Sequence, residues 1–339
     1  MNIFRTALFI FVLFPFSLFS NETNFFSGSE ALKVTLKVDF KELLGTFRKY
    51  NRRVHKKEYL SATFHYSRAG EDKVFEVGVQ KRGKSRLENE LPPLMLKFNK
   101  KENKGTDLEG LSTLKMVTNG SLASYGQKRV RDEYLLYRLY NEITPLSLRV
   151  KLLEITYVDT SRTYKTFSSL AFVIENPKSL AKRANLFYVS KKLTNDYKGT
   201  PWNEKYVSMV YTFNFFINND DFNLSDSNYD QLFKPFNHKG LYPNNIKVFF
   251  RDGKLIPVAY DFDLGGLYKS SEKRIKSSFN FYFKHFSSEK NAEVFSHLVT
   301  LKEKLTDVIK NSKVPDLKKV QMVQSIEDKI KFFETKIKK

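Results

Sequence analysis

The chain contains no cysteine. Thiol catalysis, thiolate zinc sites and redox motifs are excluded, and no disulfide can hold the fold. Histidine is scarce: there are five, none paired at metal-ligand spacing, which argues against a His-based metal centre. No apolar run reaches the roughly 20 residues a helix needs to span a bilayer. The longest, Ala7 to Phe19, has about 13 residues and is interrupted by Pro15. Internal repeats and low-complexity blocks are lacking too. Acidic residues are in short supply, 37 Asp and Glu against 58 Lys and Arg, for a formal charge of +21.

That charge is spread along the whole chain. A basic surface attracts polyanions, among them nucleic acid, anionic headgroups, nucleotides and acidic polymers. A Lys-rich solvated surface is the plainer reading, and no basic stripe interleaved with aromatics singles out nucleic acid. Aromatic residues make up 15% of the chain, with 32 Phe, so there is ample apolar surface for a folded core. The length of 339 residues allows one large domain or two lobes. The N-terminal stretch "MNIFRTALFIFVLFPFSLFSNETN" has a basic Arg5, then the apolar run, then polar residues. It reads as a secretory signal peptide over 1–20, with cleavage near Ser20. Leu18 is not the small residue expected at the −3 position, and retention as an uncleaved anchor is the alternative. Export to the periplasm, the cell surface or the medium is expected.

Strands dominate residues 21–175. "ALKVTLKVDF" places Leu32, Val34, Leu36 and Val38 on one face. "VFEVGVQ" and "LMLKF" repeat the alternation, and two further strands are predicted at about Arg149–Tyr157 and Phe167–Glu175. A helix is predicted from Gln127 to Glu142. Helices dominate 176–339: Pro177 is suited to open one, and another is expected over Asn203–Ile217. The repeat of Val294, Leu298, Leu301, Leu305 and Val308 predicts a single amphipathic helix. After Pro315 a last helix is expected, with Leu317, Val320, Ile330, Phe333 and Ile337 as its apolar side. Between these lies a predicted hairpin, "NIKVFFRDGKLIPVAY", turning at Asp252-Gly253. This order suggests two lobes with a cleft between them and a boundary near Glu175-Asn176.

The chemistry concentrates in the second half. "FINNDDF" supplies Asn218, Asn219, Asp220 and Asp221 directly after a buried helix. Asn244 and Asn245 precede the hairpin, and "VAYDFDLGGL" delivers Asp261 and Asp263 from its end. Helix, polar loop, hairpin and Asp is the order found around the phosphates of kinase-type sites. Mg²⁺ takes oxygen ligands and few of them from protein, which two carboxylates and an amide satisfy. In the first half, Lys97 on a strand is placed to reach phosphate oxygens, with Glu133 on the helix as its partner. Lys115 competes for that role, and Lys97 is preferred. The loop "KRGKSR" holds Gly83 but is not glycine-rich. Gly265-Gly266 reads as an ordinary turn or as a hinge.

Taken in order, "VQKRGKSR", "PPLMLKF", "LKMVTN", "RDEYLLYRLYN", "RVKLLEITYVDT", "FVIEN", "FINNDDF", "NNIKVF" and "VAYDFDLGGL" resemble the spore-coat protein H (CotH) kinase-like family, from about Leu32 to Leu267. The resemblance implies an α+β, two-lobed protein-kinase-like fold: an antiparallel-sheet N-lobe with one helix and a mostly helical C-lobe. It implies transfer of phosphate from ATP, with Mg²⁺ or Mn²⁺, to a protein or other hydroxyl acceptor. Asp221 matches the catalytic-loop Asp, and Asp220 is its alternative because the loop reads Asn-Asn-Asp-Asp here. Asp261 matches the metal-binding Asp with Asp263 beside it. Asn245 matches an Asn that starts the following strand and is expected to share the metal with Asp261; the Asn five residues after the catalytic Asp in ordinary kinases is absent, position 226 being Asp, and Asn228 is the nearest local alternative. Glu175 falls at the hinge, where backbone groups face adenine. Expected partners are a nucleotide, a protein acceptor and an envelope polyanion, with the chain acting as a monomer. A catalytically inactive structural or assembly protein of the envelope is the alternative function.

Overall fold

The computed structural model describes residues 24–45, 58–68, 70–83, 86–122, 126–197, 199–222, 224, 243–268, 270–283 and 288–337. Residues 1–20, where a signal peptide is expected, together with Asp226 and Asn228, lie outside the described residues.

Seven strands form a closed barrel: β1 (Leu32–Val38), β2 (Leu60–Arg68), β3 (Glu71–Lys81), β4 (Leu94–Phe98), β5 (Thr113–Val117), β6 (Val150–Asp159) and β7 (Phe167–Ile174). Their order around the barrel is β1-β2-β3-β4-β5-β7-β6. Six of the pairings are antiparallel. The seventh closes the barrel: β1 runs parallel to β6, with Leu32 opposite Leu153 and Val38 opposite Asp159. Alternation decides which side chains point inward. Val34, Leu36, Phe64, Leu96, Ile155 and Tyr157 fill the interior with a core of their own. The carboxylate of Asp159 pins the end of β6 by accepting the N–H groups of Phe40 (2.9 Å), Thr163 (2.8 Å) and Tyr164 (2.8 Å). Burial opposes ionisation there, but these donors outweigh it and hold the group at about 2.

The helices are α1 (Phe40–Gly45), α2 (Gln127–Ile143), α3 (Pro177–Arg183), α4 (Glu204–Phe216), α5 (Glu272–Phe283), α6 (Ser288–Thr300), α7 (Lys302–Lys310) and α8 (Asp316–Ile337). Asn176 caps α3 through Lys178 N–H, and Pro177 occupies the first turn, where its missing donor costs nothing. A second sheet, β8 (Phe187–Val189), β9 (Ile246–Arg251) and β10 (Lys254–Ala259), is antiparallel in the order β10-β9-β8. The β9–β10 turn has positive φ at Asp252 (50°) and Gly253 (72°), the geometry that matches strand twist in a tight hairpin.

The two-lobed protein-kinase-like fold is not what the chain adopts. A closed mixed barrel with a parallel seam replaces the antiparallel-sheet N-lobe, and the second half carries a three-stranded sheet besides its helices. The larger core is continuous across residue 175: the outer faces of β6 and β7 (Leu152, Phe172, Ile174) pack with α2, α4, β9 and β10. What separates the two cores is the barrel wall. Two helix expectations also change. The predicted helix through Leu301 is two helices, α6 and α7, with a tightened turn in which Leu301 N–H donates to Leu298 O (3.1 Å). In α8, Leu317 and Val320 are 77% and 68% exposed, while Met322, Ile326, Ile330 and Phe333 are buried. Leu317 and Phe333 stand about 160° apart around the helix, so the expected apolar side joined two different faces. Among the described residues no helix is long and apolar enough to cross a membrane.

Candidate phosphate-binding site

The site forms where the end of β3, the outer face of β5, one face of α2 and the hairpin β9–β10 meet. Glu133 and Tyr137, one turn apart on α2, are buried on the same face. Tyr137 Oη accepts the backbone N–H of Asp261 at 2.7 Å. That bond helps hold Asp261 at φ 67°, a left-handed conformation uncommon for any residue but glycine. Positive φ at a carboxylate two residues beyond the end of β10 makes Asp261 a candidate functional position.

Charge around Asp261 is mostly positive. Arg82, Lys115 and Lys247 all lie within its electrostatic reach. Burial, and then the Arg82 guanidinium, pulls the Lys115 ammonium down to about 8. Burial, and then Lys115, pulls Lys247 down to about 7. Both ammonium groups lie against the Tyr260 ring, Lys247 at 3.9 Å and Lys115 at 5.6 Å from its centroid. Burial and the Asp263 carboxylate raise Asp261, against the pull of Arg86, Arg82 and Lys115. Burial, assisted by Asp261, pushes Glu133 up to about 8, so this carboxyl is protonated at neutral pH. Asp263 is ion-paired with Arg86. Three half-buried basic side chains, Arg82, Lys115 and Lys247, therefore surround the Asp261 carboxyl group.

Asn245 joins the two acidic segments. Its side-chain amide donates to Asp221 Oδ2 at 2.9 Å and to Asp221 O at 2.6 Å, and its backbone carbonyl accepts Tyr260 N–H at 3.0 Å. Asn244 donates to the same Asp221 carboxylate at 3.2 Å. Asp220 is exposed. The loop and the turn after β10 are stitched together: Gly266 N–H donates to Ile217 O (2.6 Å), and Asn218 donates back to Gly266 O (2.9 Å). Gly265 sits where a Cβ would come within 2.9 Å of Ile217 Cδ1 and 3.1 Å of Leu136 Cδ1. Close packing, rather than a hinge, accounts for that glycine. From α8, the buried Lys329 ammonium donates to Phe215 O (3.3 Å), Phe216 O (2.6 Å) and Asn218 Oδ1 (2.9 Å), capping α4 where the loop begins.

The sequence-predicted residues thus divide. Lys115, Glu133, Asp261 and Asp263 share one electrostatic neighbourhood, and Asn245 ties Asp221 to it. Lys97 is exposed, its ammonium 5.2 Å from the Tyr59 ring centroid, and among the described residues no ion pair joins it to Glu133. Glu175 is fully buried between Arg149 (2.8 Å) and Arg183 (3.1 Å), so its side chain is committed to holding the chain between β7 and α3. Arg82, Lys247, Tyr137 and Lys329 were missed. Arg82 and Lys247 stand within "VQKRGKSR" and "NNIKVF", and only the pairing of distant strands shows that they meet. No cluster of three Asp, Glu or His side chains suited to a metal occurs among the described residues. The Asp261 carboxylate and the Asn245 amide carbonyl are oxygen donors of the kind taken by a hard ion that draws most of its ligands from water and phosphate, as Mg²⁺ does.

Neither a scan against protein-family models nor a search of curated proteins finds a match for the chain.

Proposed function

We propose that this site binds a nucleoside triphosphate and transfers its terminal phosphoryl group to a hydroxyl acceptor, the activity implied by the resemblance to CotH-like proteins. The observation that carries the reading is the convergence of three half-buried basic side chains, Arg82, Lys115 and Lys247, on Asp261. Desolvation weakens the charge of the two lysines, a bound anion would restore it, and a polyphosphate supplies several negative charges at once. Arg82, Lys115 and Lys247 would hold the phosphates, taking the place expected for Lys97. Asp221, oriented by Asn244 and Asn245, would position the acceptor hydroxyl and accept its proton. The acceptor oxygen bonds to the terminal phosphorus as the bond to the nucleoside diphosphate oxygen breaks. Asp261 and Asn245 would hold Mg²⁺ or Mn²⁺, which when bound neutralises phosphate charge. An exported location and a protein acceptor belong to the same proposal. Nothing in it requires a two-lobed architecture.

The test is calorimetric titration of the chain with ATP, with and without Mg²⁺ or Mn²⁺. Metal-dependent binding is expected, weakened at least tenfold in Asp261→Asn with the circular dichroism spectrum unchanged. Metal-dependent binding by that variant at wild-type affinity would overturn the assignment. A second reading, an inactive envelope assembly protein, is favoured by the internal engagement of Asp221 with two amides and of Asp263 with Arg86. Labelled ATP with Mn²⁺ separates the two. Label on the chain or on an added acceptor supports transfer, and no label together with no nucleotide binding supports assembly.

A further inference from the structure

α2 also borders a groove on its other face. Arg131 and Glu133 are two residues apart, about 200° around the helix, so the face opposite the Asp261 site is the one bearing Arg131. That face borders a groove of about 600 Å³ on the outside of the barrel, continuous with a neighbouring hollow of about 550 Å³ through Lys33, Arg131, Glu154 and Lys313.

The groove floor is regular. Strand register aligns His65 of β2, Thr35 of β1, Thr156 of β6 and Ser168 of β7 in one row across four strands. At the strand spacing of about 4.8 Å the row is roughly 14 Å long. Thr156 and Ser168 share a hydrogen bond at 2.9 Å, and each hydroxyl keeps capacity for a further partner. One rung away, Lys33 pairs in register with Glu154, whose carboxylate is engaged by Lys313. Three cations therefore line the groove against one carboxylate. Above the floor, Arg131 Nε is buried with no hydrogen-bond partner. A buried donor left unmet is destabilising, and the edge carrying Nε is one of two through which a guanidinium grips oxyanions in bidentate fashion. The N-terminal turn of α2, which brings Gln127 to the same groove, carries no acidic residue to compete.

An elongated row of hydroxyls beside a guanidinium that keeps an unmet Nε donor matches a ligand that is itself hydroxyl-rich, extended and acidic. We propose that this groove binds an acidic oligosaccharide, whose carboxylate or sulfate is read by Arg131 and Lys33 and whose hydroxyls are read by Thr35, Thr156 and Ser168.

Calorimetric titration at fixed ionic strength tests this with three probes: a galacturonate tetrasaccharide, the neutral galactose tetrasaccharide, and sodium sulfate. The acidic tetrasaccharide is expected to bind at least tenfold more tightly than either of the others. Arg131→Gln should lower its affinity at least tenfold, whereas Asp261→Asn should leave it unchanged, which separates this site from the phosphate site. Should Arg131→Gln fail to fold, Lys33→Gln, at an exposed strand position, carries the expectation of weakened binding. Undiminished affinity in the variant that folds, or equal affinity for the neutral tetrasaccharide or for sulfate, would overturn the proposal.

Discussion

Glu133 shows how one buried carboxyl couples the site to stability. Its pKa rises to about 8 in the folded chain, from about 4.3 when unfolded. Between those values the folded state holds a proton that the unfolded state has released. The stabilisation is therefore complete below about pH 4.3 and declines as pH rises toward 8. Glu133→Gln keeps the shape and removes the titration. Urea unfolding from pH 4.5 to 8.5 should show the wild type losing stability relative to the variant across that window, and parallel curves would contradict the assigned environment. The sequence marked Glu133 by its place on α2, but paired it with Lys97. What reaches it instead, Asp261 and Arg86, comes from segments far apart in the chain. Side-chain type and helix spacing identify a candidate group, whereas its partners are set by tertiary packing.

At the scale of elements, local chemistry was legible and neighbour identity was not. The Asp252-Gly253 turn and the span of α2 follow from backbone preference and apolar period. The split at Leu301 was hidden because a single tightened turn leaves the apolar spacing of α6 and α7 intact. The contact between α8 and the 218–221 loop was hidden for another reason: Lys329 lies among several lysines in a Lys-rich helix, and only its burial distinguishes it. Burial, with a smaller contribution from Arg274, pulls its ammonium down to about 7, while three oxygen acceptors favour the charged form. Lys329→Met would leave the end of α4 uncapped and release Asn218. A loss of about 1–3 kcal/mol is expected from the unmet carbonyls. Amide exchange should quicken at Ile217, Asn219 and Gly266, with β1 to β4 unchanged. Exchange altered equally in both regions would mean that Lys329 supports the fold as a whole, not the loop.

For the whole molecule, the decisive contact is the one between β1 and β6. Those strands are separated by more than a hundred residues, and no local pattern announces that they pair or that they run parallel. Without that seam the first half would be an open sheet with two edges, close to the arrangement expected from sequence. With it the barrel has no free edge, and its interior becomes a core apart from the one beneath Asp261. Leu36 lies at the middle of the seam, fully buried, between Phe64 on one side and Tyr157 on the other. Leu36→Ala should destabilise the chain by about 2–5 kcal/mol, the range for a buried leucine that leaves a cavity. If β1 closes the barrel, the damage spreads across the seam: protection against amide exchange should fall together in β2 and β6. Amides of α4, β9 and β10, which belong to the other core, should keep their protection until global unfolding. A loss confined to β1 and β2 would show that the parallel pairing contributes little. Equal loss everywhere would show that the two cores unfold as one unit.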